Sequence, residues 1–378
     1  MPSTTDVVIV GGGIVGCSIA FELAKAGMRV CVLERAGFGE ESSAAAAGML
    51  SGQHGVTTFG ARYELHHEAR EFHATLASEL RELTGIDVAF CRWGILEVLF
   101  TAGEVRAADR CYQVQTQAGL QVERLSREET RALEPAVTPN IQGAIYYPQE
   151  AHVHNGRLTI ALAEAARRTG AELRSGEPVV TLLRQGDRIA GVRTPADTIQ
   201  ADTVILANGA WSGKLGRQLG LELPVKPMRG QMLAVRTVPR AVHHVIYGGH
   251  MYVVPRPDGE TLIGATVEDV GYRKEVTLEG IEELVQAGRR VVPGLMQASL
   301  ARTWAGLRPG SPDGLPLVGP VEGIPGLLLA VGHYRNGILL GPITGALLKQ
   351  WLVERVRSPH LELLRPERFP IHTGLIES

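Results

Sequence analysis

Asp6 leads a run of four consecutive apolar residues, Val7 to Val10, which breaks at Gly11-Gly12-Gly13-Ile14-Val15-Gly16 and resumes as an apolar stretch from Cys17 to Ala26. Gly27 ends that stretch, and a second apolar run, Arg29 to Leu33, closes on Glu34. This order of buried strand, glycine-rich turn, helix and second strand predicts a βαβ unit, the start of a doubly wound α/β fold. From Tyr63 to Leu83, Leu65, Ala69, Phe72, Leu76 and Leu80 recur on one helical face, a stripe that reads as core.

Beyond Val88 the pattern changes. Short alternating runs, Gly94 to Phe100 and Gly143 to Tyr147, flank a charged helical stretch at Ser126 to Leu133, so residues 88–147 read as an inserted sheet. Helical spacing returns from Asn155 to Gly170, followed by Pro178-Val179-Val180, a turn at Gln185-Gly186-Asp187, a strand from Ile189 to Arg193 and a strand from Thr203 to Trp211 that ends in small residues. That return makes the nucleotide unit discontinuous. Pro224 to Thr266 is a second strand-rich block, with strands at Arg229 to Leu233 and Met251 to Pro255, and a helix follows from Leu278 to Val291. The last segment holds Trp304 to Gly310, a strand from Leu327 to Val331, the run His333-Tyr334-Arg335-Asn336-Gly337 and an apolar helix from Ile338 to Leu352.

At 378 residues the chain exceeds one ordinary domain, which agrees with a nucleotide unit carrying an insertion. A net charge of −2 with no Lys/Arg block argues against nucleic acid or an anionic membrane as partner and favours a small molecule. Cys17, Cys31, Cys91 and Cys111 have neither a C-x-x-C pair nor zinc-site spacing, so they read as reduced and no metal is expected. The run Val7 to Val10 is too short for a signal peptide or a membrane span, which places the protein in the cytoplasm as an expectation.

The glycine turn carries the first chemistry. Gly11 permits a tight turn, Gly13 lets backbone approach a pyrophosphate, and Gly16 lets the helix pack closely on the strand. The helix N-terminus offers unpaired N–H groups and a partial positive charge. Glu34, ending the second strand, is placed to accept hydrogen bonds from ribose hydroxyls, which argues against a 2′-phosphate there.

These residues, with Ser42-Ser43-Ala44 through Ala47-Gly48-Met49-Leu50, Ala207-Asn208-Gly209-Ala210-Trp211-Ser212, Trp304 to Gly310 and His333 to Gly337, resemble the FAD-dependent D-amino acid oxidase superfamily, and within it the thiamine-pathway glycine oxidases. The likeness covers nearly the whole chain. It implies a discontinuous Rossmann-like FAD-binding domain (residues 1–87, 148–223 and 303–378) and an inserted, mostly antiparallel substrate domain (88–147 and 224–302). The resemblance implies FAD contacts at Ile14, Val15, Glu34, Arg35, Ser42, Ser43, Ala47, Gly48, Met49 and Val179, and along His333, Tyr334, Arg335, Asn336, Gly337, Ile338 and Leu339. It matches Arg308 and Tyr252 to the groups that hold a substrate carboxylate, Arg335 to a second arginine beside flavin and substrate, and His250 to an active-site histidine. Val267 stands where the glycine oxidase pattern has a methionine. No cysteine lies in the C-terminal region, where some relatives attach flavin covalently, so FAD is expected to be non-covalent.

The residues themselves add support and leave alternatives. An arginine fork suits a planar carboxylate as a lysine does not, although Arg308 also reads as a structural ion pair with Asp313. Taken alone, Tyr252 is an aromatic packed in a strand, and His333 is a ligand, a base or a satisfied core histidine. Asn336-Gly337 starts the last helix, whose positive end suits the negative charge of a reduced flavin. The implied activity is oxidation of glycine, sarcosine or small D-amino acids by hydride transfer to FAD, with oxygen as acceptor and no protein general base, in a homotetramer that serves thiamine synthesis. The alternatives are a D-amino acid or sarcosine dehydrogenase passing electrons to a quinone, and a flavin-binding protein without turnover.

Overall fold

In the computed structural model, which describes residues 3–218, 220–237 and 241–371, the chain builds two eight-stranded sheets. It opens with β1 (Ser3–Val10), α1 (Ile14–Lys25), β2 (Val30–Leu33), α2 (Glu41–Ala45), β3 (Met49–Leu50) and α3 (Ala61–Thr84). It then crosses to the second sheet through β4 (Ile95–Leu99), α4 (Ala102–Gln117), β5 (Glu123–Leu125), α5 (Arg127–Leu133) and β6 (Gly143–Tyr147). β7 (Ala151–His152), α6 (Asn155–Arg168), β8 (Glu172–Arg174), β9 (Thr181–Gln185), β10 (Arg188–Arg193), β11 (Thr198–Leu206) and α7 (Ser212–Gln218) bring it back. The second crossing adds β12 (Lys226–Arg236), β13 (Val245–Gly248), β14 (Met251–Pro255), β15 (Glu260–Gly264), α8 (Leu278–Val291) and β16 (Ser299–Gly310). Finally β17 (Leu317–Pro320), β18 (Leu327–Val331), α9 (Gly337–Leu352) and α10 (Pro359–Leu364) complete the first sheet and its helical layer.

The first sheet runs β17-β18-β11-β1-β2-β8, with β10 and β9 continuing from β11. Its centre is parallel: β1 pairs with β2 and β11, β2 with β8, and β11 with β18. Buried on both faces, Val7–Val10 of β1 and Val30–Leu33 of β2 are continuous apolar runs, as central parallel strands should be. α1 packs against α6 and α9, and α3 lies across those two helices, burying Leu65, Ala69, Leu76 and Leu80, with Phe72 partly buried beside them. The second sheet runs β16-β12-β15-β14-β13-β4-β6-β5 and is antiparallel except where β13 meets β4.

Mixed α/β architecture, the βαβ start and the mostly antiparallel insertion agree with the reading of the sequence. Two details differ. α4 was not anticipated among the alternating runs, although Thr101 and Glu104 form a full capping box at its start, a local S/T-x-x-E signal. The expected boundary at 303 falls inside β16, which pairs with β12 through Gly310, so the chain changes sheets after that residue. The expected first-domain ends at 1–2 and 372–378 lie outside the described residues. Among the described residues, no helix is long and apolar enough to cross a membrane.

Three histidines are held neutral by burial: His66 and His73 at about 4 and His333 at about 3, with the Arg62 charge adding to the effect at His66. In the unfolded chain they return to about 6.5, so on acidification the unfolded state takes up these protons first. Their contribution to stability is therefore full above about 6.5 and is lost as pH falls toward the folded values. Urea midpoints of the apoprotein at pH 7 and pH 5 are expected to differ less for His333→Gln than for the unmodified chain; equal differences would show that His333 does not contribute.

Candidate functional site

The carboxyl ends of β1, β2, β11 and β18 open into one elongated cavity of about 720 Å³, which continues along the second sheet. Ligands of open parallel sheets bind at this end because helix N-termini and unpaired backbone N–H groups collect there. At Gly11, φ is +114°, and a Cβ would lie 2.6 Å from the Ala207 carbonyl oxygen. A Cβ on Gly16 would lie 1.9 Å from the Gly11 oxygen, so only glycine lets α1 seat on the turn. Gly13 occupies the N-cap without a side-chain cap bond, and the Ile14 N–H donates to Ser43 Oγ at 2.9 Å. Glu34 accepts from the Gly12 N–H at 2.7 Å and the Ala36 N–H at 3.0 Å, which fixes its carboxylate at the cavity wall with lone pairs to spare.

The loop from Ser42 to Met49 forms the next stretch of wall and is bolted to the second sheet. Ser42 Oγ donates to the Leu307 carbonyl at 3.0 Å, Trp304 Nε1 donates to the Ala45 carbonyl at 3.0 Å, and a Cβ on Gly306 would come within 2.5 Å of the Ala45 Cβ. Arg35 lies over the Trp211 ring at 3.9 Å and pairs with Glu41 at 2.6 Å; Lys274 reaches the same carboxylate at 2.7 Å. Of the expected cofactor residues, the cavity wall brings together Gly11, Gly13, Ile14, Val15, Glu34, Arg35, Ser42, Ser43, Ala47, Gly48, Met49, Val179 and the run His333 to Ile338. Gly16 and Leu339 are not on that wall: the first is a packing glycine, and the second, in the first turn of α9, is buried in the core. Trp211 and Lys214, to which the sequence assigns no role, also line this end.

At the other end, Arg308 on β16 lies flat against the backbone of Gly230 on β12, where a Cβ would be 2.3 Å from Nη1. Nη1 donates to the Thr266 carbonyl at 3.0 Å and to the Arg229 carbonyl at 3.4 Å. Asp313 is not its partner, because that carboxylate binds Arg368 at 2.8 Å. Among the described residues Arg308 forms no salt bridge, and besides the two carbonyls its guanidinium bonds the Tyr252 hydroxyl. Tyr252 on β14 stands beside it; burial pushes the phenol up, and the Arg308 charge works against that rise.

Tyr247 on β13 shares the wall, its ring centroid 5.8 Å from that of Tyr252, and His54 stacks on Tyr247 at 4.3 Å. Neither was anticipated, since nothing in the local pattern sets them apart from other strand and loop aromatics. His54 is fixed from behind: its Nε2 lies 3.4 Å from Glu97, and its backbone N–H donates to buried Glu150 at 3.0 Å. For Glu97, burial raises the carboxyl pKa, and the bonds to His54 and Tyr147 overcome it, leaving the group below its usual range.

The remaining expected residues are spread differently. Arg335 lines the cavity, with its guanidinium 5.3 Å from the Tyr334 ring. His250 is at the rim, 77% exposed, its Nε2 3.3 Å from Glu283 on α8. The His333 imidazole is buried and spent on Thr344: that hydroxyl donates to the Leu340 carbonyl at 2.7 Å, so its oxygen accepts from Nε2–H at 3.1 Å. This is the satisfied histidine of the three readings. Val267 lines the wall and is 44% exposed.

The sequence profile of the DAO family, described as FAD dependent oxidoreductase, matches residues 6–351. The chain belongs to this family. Its DAO-family relatives include the glycine oxidase of Geobacillus kaustophilus, 37% identical, with 93% of each chain covered. The crystal structure of that protein superposes with a TM-score of 0.90 over 94% of this chain and 96% of the other, at 36% identity. The bifunctional protein ThiO/ThiG of Trichormus variabilis is 38% identical over 97% of this chain and 55% of its own length, so the chain spans about half of that relative. The hydrogen cyanide synthase subunit HcnC of Pseudomonas aeruginosa is 36% identical, with 94% of each chain covered.

The nucleotide end fits the FAD that the family uses. The unpaired N–H groups of the first turn of α1 suit a pyrophosphate, the pinned Glu34 suits ribose hydroxyls, and the positive end of α9 lies along the same wall. Replacing Glu34 by Ala removes a charged acceptor and frees two backbone donors, so FAD affinity should fall about tenfold or more. Quenching of FAD fluorescence on titration with apoprotein measures this, and an unchanged dissociation constant would remove Glu34 from the site.

Proposed function

We propose that this protein oxidatively deaminates glycine and small related amines or D-amino acids, such as sarcosine and D-alanine, and that it supplies thiamine biosynthesis. The observation that carries this reading is an arginine with no salt bridge among the described residues, Arg308, in the same cavity as a nucleotide end that fits FAD. The names of the relatives, glycine oxidase and ThiO/ThiG, point the same way.

FAD, held by the first turn of α1, Glu34 and the start of α9, would supply the redox chemistry, accepting a hydride equivalent from the substrate and passing two electrons to oxygen to give hydrogen peroxide. The protein's part is orientation. Arg308 offers its guanidinium to the substrate carboxylate, and the Tyr252 hydroxyl donates to the same group. Because Nη1 is anchored to the Thr266 and Arg229 carbonyls, the fork is set before substrate arrives. Arg335 adds positive charge beside both tyrosines. With its amine neutral, the substrate needs no protein base, and water then hydrolyses the imine to the oxo acid and an amine, which is ammonia for glycine and D-alanine and methylamine for sarcosine. For glycine the oxo acid is glyoxylate.

Oxygen uptake by the flavin-loaded protein with glycine, sarcosine, D-alanine and L-alanine tests the proposal, with peroxide, ammonia and cyanide assayed in parallel. Peroxide from both glycine and sarcosine, with ammonia released from glycine and methylamine from sarcosine, supports it. Flavin reduction without oxygen uptake favours a dehydrogenase, and cyanide from glycine favours the kind of assembly named for the HcnC relative. Arg308→Ala should lower kcat/KM for glycine by roughly ten- to a thousandfold through loss of a charged hydrogen bond. A milder variant separates placement from charge: in Gly230→Ala the new Cβ must displace the guanidinium, so KM should rise about tenfold while FAD affinity stays unchanged. Unaltered kinetics in both variants would place the carboxylate elsewhere.

A further inference from the structure

We propose that His73 is a positioning residue for the FAD site, holding together the first turn of α9 from behind. α9 contains Pro342. In an α-helix each N–H bonds to the carbonyl four residues earlier, and proline has no N–H, so the Ile338 carbonyl has lost its donor within the helix. The proline ring also crowds that same carbonyl. A backbone carbonyl buried without a partner is costly, and Ile338 is buried.

The missing donor comes from another element. His73 on α3, 1% exposed, places Nε2 at 3.0 Å from the Ile338 oxygen and 3.1 Å from the Leu339 oxygen. Both partners are acceptors only, so Nε2 carries the proton and the tautomer is fixed. Leu339 has Ile343 as its donor within α9, which makes Ile338 the group that depends on His73.

The dependent turn is the one that matters for the cofactor. Tyr334 to Ile338 line the cavity, and Asn336, the N-cap of α9, makes no side-chain cap bond that would fix the turn from its own end. The positive end of α9 is therefore aimed by a hydrogen bond from α3. His73 does not line the cavity, so its influence on FAD passes through the backbone of Ile338.

The test supplies the missing N–H by a second route. In His73→Leu the Ile338 carbonyl has no donor, and the dissociation constant of FAD from stripped apoprotein should rise about tenfold, with a shift in the absorption bands of the bound flavin. In His73→Leu/Pro342→Ala the substituted alanine restores a backbone N–H that reaches the Ile338 carbonyl within the helix, and both readouts should return to those of Pro342→Ala alone. An unchanged FAD affinity in His73→Leu overturns the proposal, as does a loss that Pro342→Ala does not relieve. Should His73→Leu fail to fold, the double variant is compared with Pro342→Ala: matched affinities support the proposal, and a double variant that is unfolded or binds FAD much more weakly overturns it.

Discussion

The closeness of α1 to the turn that precedes it is the constraint on which the rest of the site depends. With no side chain at Gly16, the helix settles onto the Gly11 carbonyl, and its N-terminus points along the ends of the parallel strands. Glu34 can then reach back to the Gly12 N–H, and Ser43 can approach the Ile14 N–H. A single added methyl at Gly16 would separate helix from turn and undo those bonds together, because packed elements yield by shifting as bodies rather than by deforming locally.

The Arg308 end of the cavity uses a different economy. Arg308 is only partly buried, and the cost of keeping it without a carboxylate is reduced by two backbone carbonyls rather than by a counter-charge. Carbonyls orient a guanidinium without cancelling it. The result is a positive charge that is already aimed, close to two phenols that burial keeps protonated.

Much of this was legible in the sequence because it is encoded locally. The run from Val7 to Glu34 has the period of its elements, and α8 and β18 appear at the residues where composition placed them. What stayed hidden depends on contacts between distant segments. Nothing near Tyr247 announces that His54 will stack on it, and the partner of Asp313 is Arg368 rather than the nearby Arg308. His250 resembles a site residue by position, yet the turn between β13 and β14 carries it to the rim, toward Glu283. α4 is the exception, since its capping box was readable and the alternating runs around it masked the signal.

The bolts between β16 and the loop from Ser42 to Met49 bear on how such a protein can change over generations. The strand that carries Arg308 also holds the Ser42–Met49 loop through Leu307, Trp304 and Gly306, so a mutation that moves Arg308 disturbs that stretch of cavity wall at the same stroke. Val267 and His250 are exposed and lie outside those bolts. The outer wall is thus free to drift while Arg308 and the loop bolted to its strand descend together as one inherited block.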